Sequence, residues 1–286
     1  MMAVLTFALA ACGGGGDSGA ADGGDSDAFA GGQTFTIKIG HSDTTTNLIN
    51  VSLENFAKYV EEQSGGAVKV DIYAAEQLGS NAEMAEMLEM GSLDAMMMPQ
   101  GQEASFAPKI NTLGLPFLFP DYDSVYKVLD SEIGDELVAD LESHNMIQLA
   151  YWENGLRQTT NSKRAINSSA DFKGLKIRTP EDAMTMAIFE ALGASPSPLA
   201  FSELYLALQQ GTFDGQENPI SNIHANNFQD VQKYLAMTNH KYECKNMIFS
   251  LTSWEKYPED VQNLLLEAAK KFGDEHRQAI VDGQDQ

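Results

Sequence analysis

Leu175-Lys176-Ile177-Arg178-Thr179-Pro180 is the stretch on which the fold turns. Its apolar and polar residues alternate with period two, as in a short half-buried strand. Pro180 cannot extend such a strand but suits the first turn of a helix, which the pattern carries to Leu192 before Gly193 stops it. A strand passing directly into a helix is the unit of an α/β fold. The same alternation continues downstream. A helix is predicted over Ser202–Gln210, capped by Ser202 with Glu203 in its first turn, then a strand from Phe213 to Asn218 and a helix opened by Pro219. Tyr242 to Thr252 reads as strand, and Pro258-Glu259-Asp260 begins a long amphipathic helix with Val261, Leu265, Ala268 and Phe272 on one side.

Upstream of Arg157 lies a first, similar series. Phe35 to Ile39 alternates as a strand, and Ile49, Leu53, Phe56 and Val60 recur at helical spacing until Gly65-Gly66. Val68, Val70 and Ile72 mark a second strand. Asn81 is positioned to cap a helix carrying Met84, Met87 and Leu88, closed by Gly91, and Leu93 to Met98 forms an apolar buried strand in which the methionines fill core. Pro116 and Pro120 frame a rigid apolar loop, followed by a helix near Asp123–Leu141 and a strand at Met146–Trp152. The fold class is α/β: two βα lobes joined by crossing strands, with a ligand cleft between them.

The N-terminal residues have a different character. Leu9-Ala10-Ala11-Cys12 closes a short apolar run in the manner of a bacterial lipoprotein signal, so residues 1–12 read as a signal cleaved before a lipidated Cys12. The run falls well short of the about 20 apolar residues that span a bilayer. No Lys or Arg precedes Lys38, so the start is expected to have lost several residues. Residues 13–33 are rich in Gly, Asp, Ala and Ser and read as a flexible tether. The glycines at 13–16 lack the strand and the Lys-Ser/Thr ending of a phosphate loop. With Cys12 lipidated, Cys244 has no disulfide partner and is expected as a buried apolar side chain.

A net charge of −23 excludes nucleic acid and anionic membrane surfaces as partners, because no basic stripe exists to displace counterions. It does not exclude an anionic small ligand, since distant charges are screened within about 8 Å at physiological salt. No catalytic constellation stands out. His41-Ser42-Asp43 are adjacent residues whose side chains cannot converge as a triad, and the five histidines have no metal-ligand spacing. No enzyme activity, cofactor or metal is expected. Of 18 basic residues only four are arginines: Arg157, Arg164, Arg178 and Arg277. Arg178 stands at a strand end, where α/β folds border their ligand crevices, and its rigid fork matches a carboxylate. Pairing with a structural Asp or Glu would explain it equally well, and local physics leaves both uses open.

Several ordered blocks narrow the choice. Asn154-Gly-Leu-Arg157-Gln-Thr-Thr, Lys173-Gly-Leu-Lys-Ile-Arg178-Thr-Pro, Phe201-Ser-Glu-Leu-Tyr205, Leu208-Gln-Gln-Gly211 and Asp214-Gly-Gln-Glu-Asn218-Pro219 resemble the substrate-binding (DctP-type) subunits of tripartite ATP-independent periplasmic (TRAP) transporters. Val231-Gln-Lys-Tyr-Leu235, Gln77-Leu78-Gly79 and Gly91-Ser-Leu-Asp94 extend the likeness over about residues 34–283. The resemblance implies a two-lobed periplasmic-binding-protein-like fold with hinge strands and a long helix spanning both lobes. Lobe I would comprise 34–153 plus about 244–283, and lobe II 154–243. The resemblance implies that a small organic acid binds in the cleft by lobe closure. Arg178 would make the paired carboxylate contact, Arg157 would support it or read a second polar group, and Asn218 would complete the cage. Phe201 would pack on the ligand's carbon skeleton, with Ser42, Asn81, Met98 and Pro99 at first-lobe cleft positions that vary with substrate. In the sialic-acid-binding branch the position of Pro99 is an acid and that of Glu181 an amide, which argues against sialate. Glu181 reads either as a ligand contact or as an acid favouring a helix dipole.

The implied product is a monomeric extracytoplasmic protein, lipid-anchored to the cell membrane (in the periplasm or on the outer face of the cytoplasmic membrane), that delivers its ligand to TRAP permease membrane subunits. The alternative is a receptor presenting its ligand to a membrane sensor kinase. Family members continue for further elements past the position of Gln286, so the C-terminal part of lobe II is expected to be missing.

Overall fold

In the computed structural model, which describes residues 29–283, the first alternation becomes a parallel pair. β1 (Phe35–Gly40) lies beside β2 (Val68–Tyr73) with Ile37 opposite Val70. Between them runs α1 (Leu48–Gln63), capped by Asn47, whose side chain accepts from the Ile49 amide at 2.9 Å. α2 (Asn81–Glu89) leads to β3 (Ala95–Pro99) on the other edge of β1. The methionine run of β3 is covered on both faces. Ala95 and Met97 join the core built with α1, while Met96 and Met98 join the opposite one with Met84 and Leu88 of α2. A strand without a solvent face reads as a continuous apolar run.

After α3 (Gln100–Glu103), the helix expected near Asp123–Leu141 is two helices, α4 (Tyr122–Leu129) and α5 (Glu132–Val138), and a 3-10 turn at Ala139–His144. Ser131 makes the break: its hydroxyl accepts from the Ile133 amide at 3.3 Å and caps a new helix. Gly134 allows the corner, since a Cβ there would lie 2.1 Å from the Leu129 carbonyl oxygen.

β4 (Met146–Leu156) runs past its expected end at Trp152 and, after Arg157, continues as β5 (Gln158–Asn161) in a second sheet. There the second series follows: β6 (Lys176–Thr179), α6 (Ala183–Ala191), β7 (Ser195–Pro198), α7 (Leu204–Gln209), β8 (Gly215–Asn218), α8 (Ile220–Ala225) and β9 (Tyr234–Ala236). β10 (Tyr242–Ser250) returns to the first sheet, antiparallel between β3 and β4, and the strand predicted to Thr252 turns into α9 (Leu251–Trp254). The sheet orders are β2-β1-β3-β10-β4 and β7-β6-β8-β5-β9. Each lobe thus takes in a strand that has crossed from the other, at Arg157 and again before Tyr242.

α10 (Glu259–Gly283) buries Val261, Leu265, Ala268 and Phe272 as its periodicity requires, lying along α1 and β4. Its end places Ile280 with Leu156 and Tyr242 at the crossing strands. Cys244 is fully buried as a free thiol. Cys12 and residues 1–28 of the expected signal and tether lie outside the described residues. The last part of that tether, Phe29–Gly32, docks on the body: Ala30 is buried, and its amide donates to Asp260 Oδ2 at 2.6 Å. Among the described residues no helix is long and apolar enough to cross a membrane.

Candidate functional site: a cleft between the lobes

Three departures from the expected helix starts shape the cleft. α2 is capped by Ser80, not Asn81: Ser80 Oγ accepts from the Glu83 amide, and Glu83 returns the bond to the Ser80 amide at 2.8 Å. Asn81, relieved of capping, faces the cleft. α6 begins at Ala183, not Pro180, because the Asp182 carboxylate takes the amides of Met184 and Thr185. Glu181 therefore lies ahead of the helix on an exposed turn and is not in its first turn. Ser202 caps nothing: Phe201–Glu203 is a 3-10 turn, and the Ser202 amide points to the first lobe.

Two adjoining hollows of about 40 Å³ each open between the sheets and share Asn81, Pro99, Arg178, Pro180, Phe201 and Glu243. Ser42, Arg157 and Asn218 line one of them and Glu181 the other. Of the residues singled out in the sequence, Met98 alone lines neither. It is fully buried behind Pro99, since the alternation of β3 sends it into the α2 core.

Arg178, on β6, is 2% exposed. Its Nε and Nη2 both donate to the Leu199 carbonyl, at 2.9 and 2.5 Å, and its guanidinium carbon sits 5.7 Å from the centre of the Phe201 ring. No carboxylate within the described residues pairs with it. Burial pushes its pKa down to about 10, against the opposing pull of Glu217.

Arg157 is the opposite case. Its Nε and Nη1 pair with Glu217 and Glu243, and its Nη2 donates to Glu217 Oε1 at 2.7 Å, the Glu217 carbonyl at 2.8 Å and Asn218 Oδ1 at 3.2 Å. Burial opposes its charge, but the two glutamates outweigh that and raise its pKa above the ordinary value. Arg157 thereby holds Asn218 Oδ1, and Asn218 Nδ2 donates to Gln216 Oε1 at 2.5 Å.

Sequence reading missed most of the charge around the cleft. Lys241 Nζ pairs with Asp182 and donates to Thr185 Oγ1 at 3.0 Å. Lys245 Nζ pairs with Asp43 and donates to Ser42 Oγ at 3.3 Å. Burial would raise the Asp43 pKa, yet Lys245 and His41 hold it well below the carboxylate range. A signal was present: Glu243 and Lys245 alternate within β10, so their side chains share one face, and Lys241 directly precedes the strand. Asn154 is the extra residue of a bulge, because Gly155 pairs with Glu243 and Glu153 with Cys244. Gly155, at φ +127, makes that bulge possible. Asn154 then donates to Glu243 at 2.5 Å and accepts from Asn222, which in turn accepts from Asn47 of the first lobe at 2.7 Å. Among the described residues no group of three or more His, Cys, Asp or Glu is arranged to hold a metal ion.

Two lobes, exchanged strands, and a cleft between them lined by a buried arginine that no carboxylate of the described residues pairs with are the architecture of a two-lobed binding protein. The chain belongs to the bacterial extracellular solute-binding protein family 7 (DctP), whose model matches residues 39–286. Its two-lobed α/β fold is that of TRAP periplasmic solute-binding proteins. One from Sulfurospirillum deleyianum, solved with bound succinate, is 33% identical and superposes with a TM-score of 0.84 over 88% of this chain and 82% of that one. The sugar acid binding protein DctPAm of Advenella mimigardefordensis, in complex with galactonate, is 31% identical with a TM-score of 0.86 over the same shares. An uncharacterized protein of Sinorhizobium fredii is 40% identical over 247 residues, which are 86% of this chain but only 46% of that relative's length. The family is extracytoplasmic, and its members are substrate-binding proteins.

Proposed function

We propose that this protein captures a small organic acid by its carboxylate, in the cleft between the lobes, and passes it to the membrane subunits of a TRAP permease. The observation that carries this reading is Arg178, a buried guanidinium held by Leu199 and Phe201 with no carboxylate partner in the described residues. Removing a charge from water without a counter-ion is costly, and a ligand carboxylate would supply one. Each charge-assisted hydrogen bond so formed contributes about 1.5–3 kcal/mol. Succinate and galactonate, bound by the two structural relatives, are both carboxylates.

In this reading Asn218, positioned by Arg157, holds the carboxylate from the other side. Phe201 packs on the carbon chain, and Ser42, Asn81, Pro99 and Glu181 contact the rest. Met98 acts only by backing Pro99. Contacts from both lobes coexist only when the cleft is closed, so ligand favours closure, and the closed shape is what the permease recognises. The protein turns nothing over. It works as a monomer, anchored through a lipid on Cys12.

A thermal-shift screen of organic acids tests the reading, since ligand at about 100 times its dissociation constant adds about 2.7 kcal/mol of stability. A rise with neutral sugars or cations but with no carboxylate would sink it. For the anchor, Cys12→Ser should release the protein from the membrane fraction, and retention there would refute lipidation.

A further inference from the structure

The end of the cleft away from Asn218 has its own chemistry. Among the described residues Arg178 is the only cation lining that hollow, against the carboxylates of Glu76, Glu181, Asp182 and Glu243. Asp182 and Glu243 are engaged with Lys241 and Arg157. Glu76 is engaged on one side only. Its Oε2 accepts from the Ser202 amide of the second lobe at 3.1 Å, while its Oε1 is buried with no hydrogen-bond partner in the described residues. Asn81 Oδ1, lining the same hollow, is likewise buried and unpartnered there.

Buried acceptors without partners are uncommon because each forfeits its hydration. The backbone beneath Glu76 is unusual too. Ala75 and Glu76 both adopt left-handed conformations, φ 53 and 59, which side chains other than glycine seldom take. Their amides are held by the carbonyls of Asp43 and His41, at 2.8 and 3.1 Å. The turn is thereby clamped in the geometry that delivers the Glu76 carboxylate across the cleft.

We propose that Glu76 determines specificity: it reads the far end of the ligand and selects polyhydroxy monocarboxylates over dicarboxylates. This rests on the carboxylate reading of Arg178. With Arg178 occupied, a second carboxylate would face Glu76 and Glu181 with no cation to meet it. Hydroxyls instead donate to Glu76 Oε1 and Asn81 Oδ1. A hydroxyl also accepts, matching the amide groups of Asn81 and Gln102, whereas an ammonium only donates. Because Glu76 binds Ser202 with its other oxygen, the residue that senses the hydroxyls also joins the two lobes.

The test is calorimetry with three four-carbon acids that differ beyond the first carboxylate, namely D-erythronate, succinate and γ-aminobutyrate, plus galactonate as a longer polyhydroxy acid. The wild-type protein is expected to bind erythronate or galactonate at least about tenfold more tightly than succinate or γ-aminobutyrate. Glu76→Gln keeps a carbonyl oxygen for the Ser202 amide but turns an N–H donor into the cleft. It should weaken the polyhydroxy acid about tenfold and strengthen succinate. Asn81→Leu should weaken the polyhydroxy acid several-fold more than it weakens succinate. Wild-type preference for succinate or γ-aminobutyrate would overturn the inference, as would Glu76→Gln leaving the ranking unaltered. In either case, loss of all binding in Arg178→Ala would leave the carboxylate reading standing. If the wild-type protein bound none of these acids and no other carboxylate, both would fall.

Discussion

The backbone N–H of Arg157 donates to the carbonyl of Lys241 at 2.9 Å, joining the two strands that cross between the lobes. The side chain of Arg157 is fully engaged too, with Glu217 and Glu243 both paired to it. Truncation would strand two buried carboxylates. Arg157→Ala should therefore cost about 3–5 kcal/mol of stability, read as a lowered urea midpoint. A loss below about 1 kcal/mol would mean that the pairs are not what holds this junction.

Arg178 should behave in the opposite way. It is buried without a carboxylate partner among the described residues, and burial disfavours its charge. Arg178→Met, which keeps much of the volume, should abolish heat of binding to carboxylates while leaving the ligand-free thermal midpoint unchanged or raised. Arg178→Lys should bind weakly, because a point charge does not reproduce the fork. Destabilisation by Arg178→Met as large as that of Arg157→Ala would mark Arg178 as a structural ion-pair residue.

Asn222 relays between lobes, accepting from Asn47 at 2.7 Å and donating to Asn154 at 3.0 Å. Asn222→Ala removes a buried bridge present only when the lobes are together. We expect about tenfold weaker ligand binding and a smaller ligand-induced contraction in solution scattering. Wild-type contraction in this variant would show that closure does not depend on the relay.

Stability should fall as pH rises from about 6.5 to 8. Burial pushes the carboxyls of Glu103 and Glu153 up to about 8, so the folded protein keeps protons that the unfolded chain releases near 4.5. Their contribution is complete below the unfolded value and is lost as pH climbs through 8. His276 works against this at lower pH. Burial pulls it down to about 4, so between 4 and 6.5 the unfolded chain binds the extra proton. Thermal midpoints measured from pH 6.5 to 8 should decline in the wild type and stay level in Glu103→Gln/Glu153→Gln. An unchanged decline in the double variant would assign it to other groups.

Much of this molecule was written in local pattern. The period of Phe35–Ile39, the spacing of Val261, Leu265, Ala268 and Phe272, and the turn at Arg178-Thr179-Pro180 depend on near neighbours in the chain, so the α/β order could be read directly. Helix starts were less legible. Ser80 and Asp182 cap α2 and α6 in place of the expected starts at Asn81 and Pro180, and Ser131 opens a second helix within the segment expected as one, choices that short-range pattern does not settle.

Which charges are buried was beyond local reading altogether. Lys241, Glu243, Lys245, Asp182 and Glu217 look like solvated residues of an acidic chain until strands and turns far apart in sequence bring them into pairs. The same holds for the two arginines. By itself the sequence determined that Arg178 stands where a strand meets a crevice and that Arg157 precedes a second lobe. Only the tertiary structure decided that Glu217 and Glu243 both go to Arg157 and neither to Arg178, because ion pairing depends on distances of a few ångströms between residues 60 and 86 positions apart.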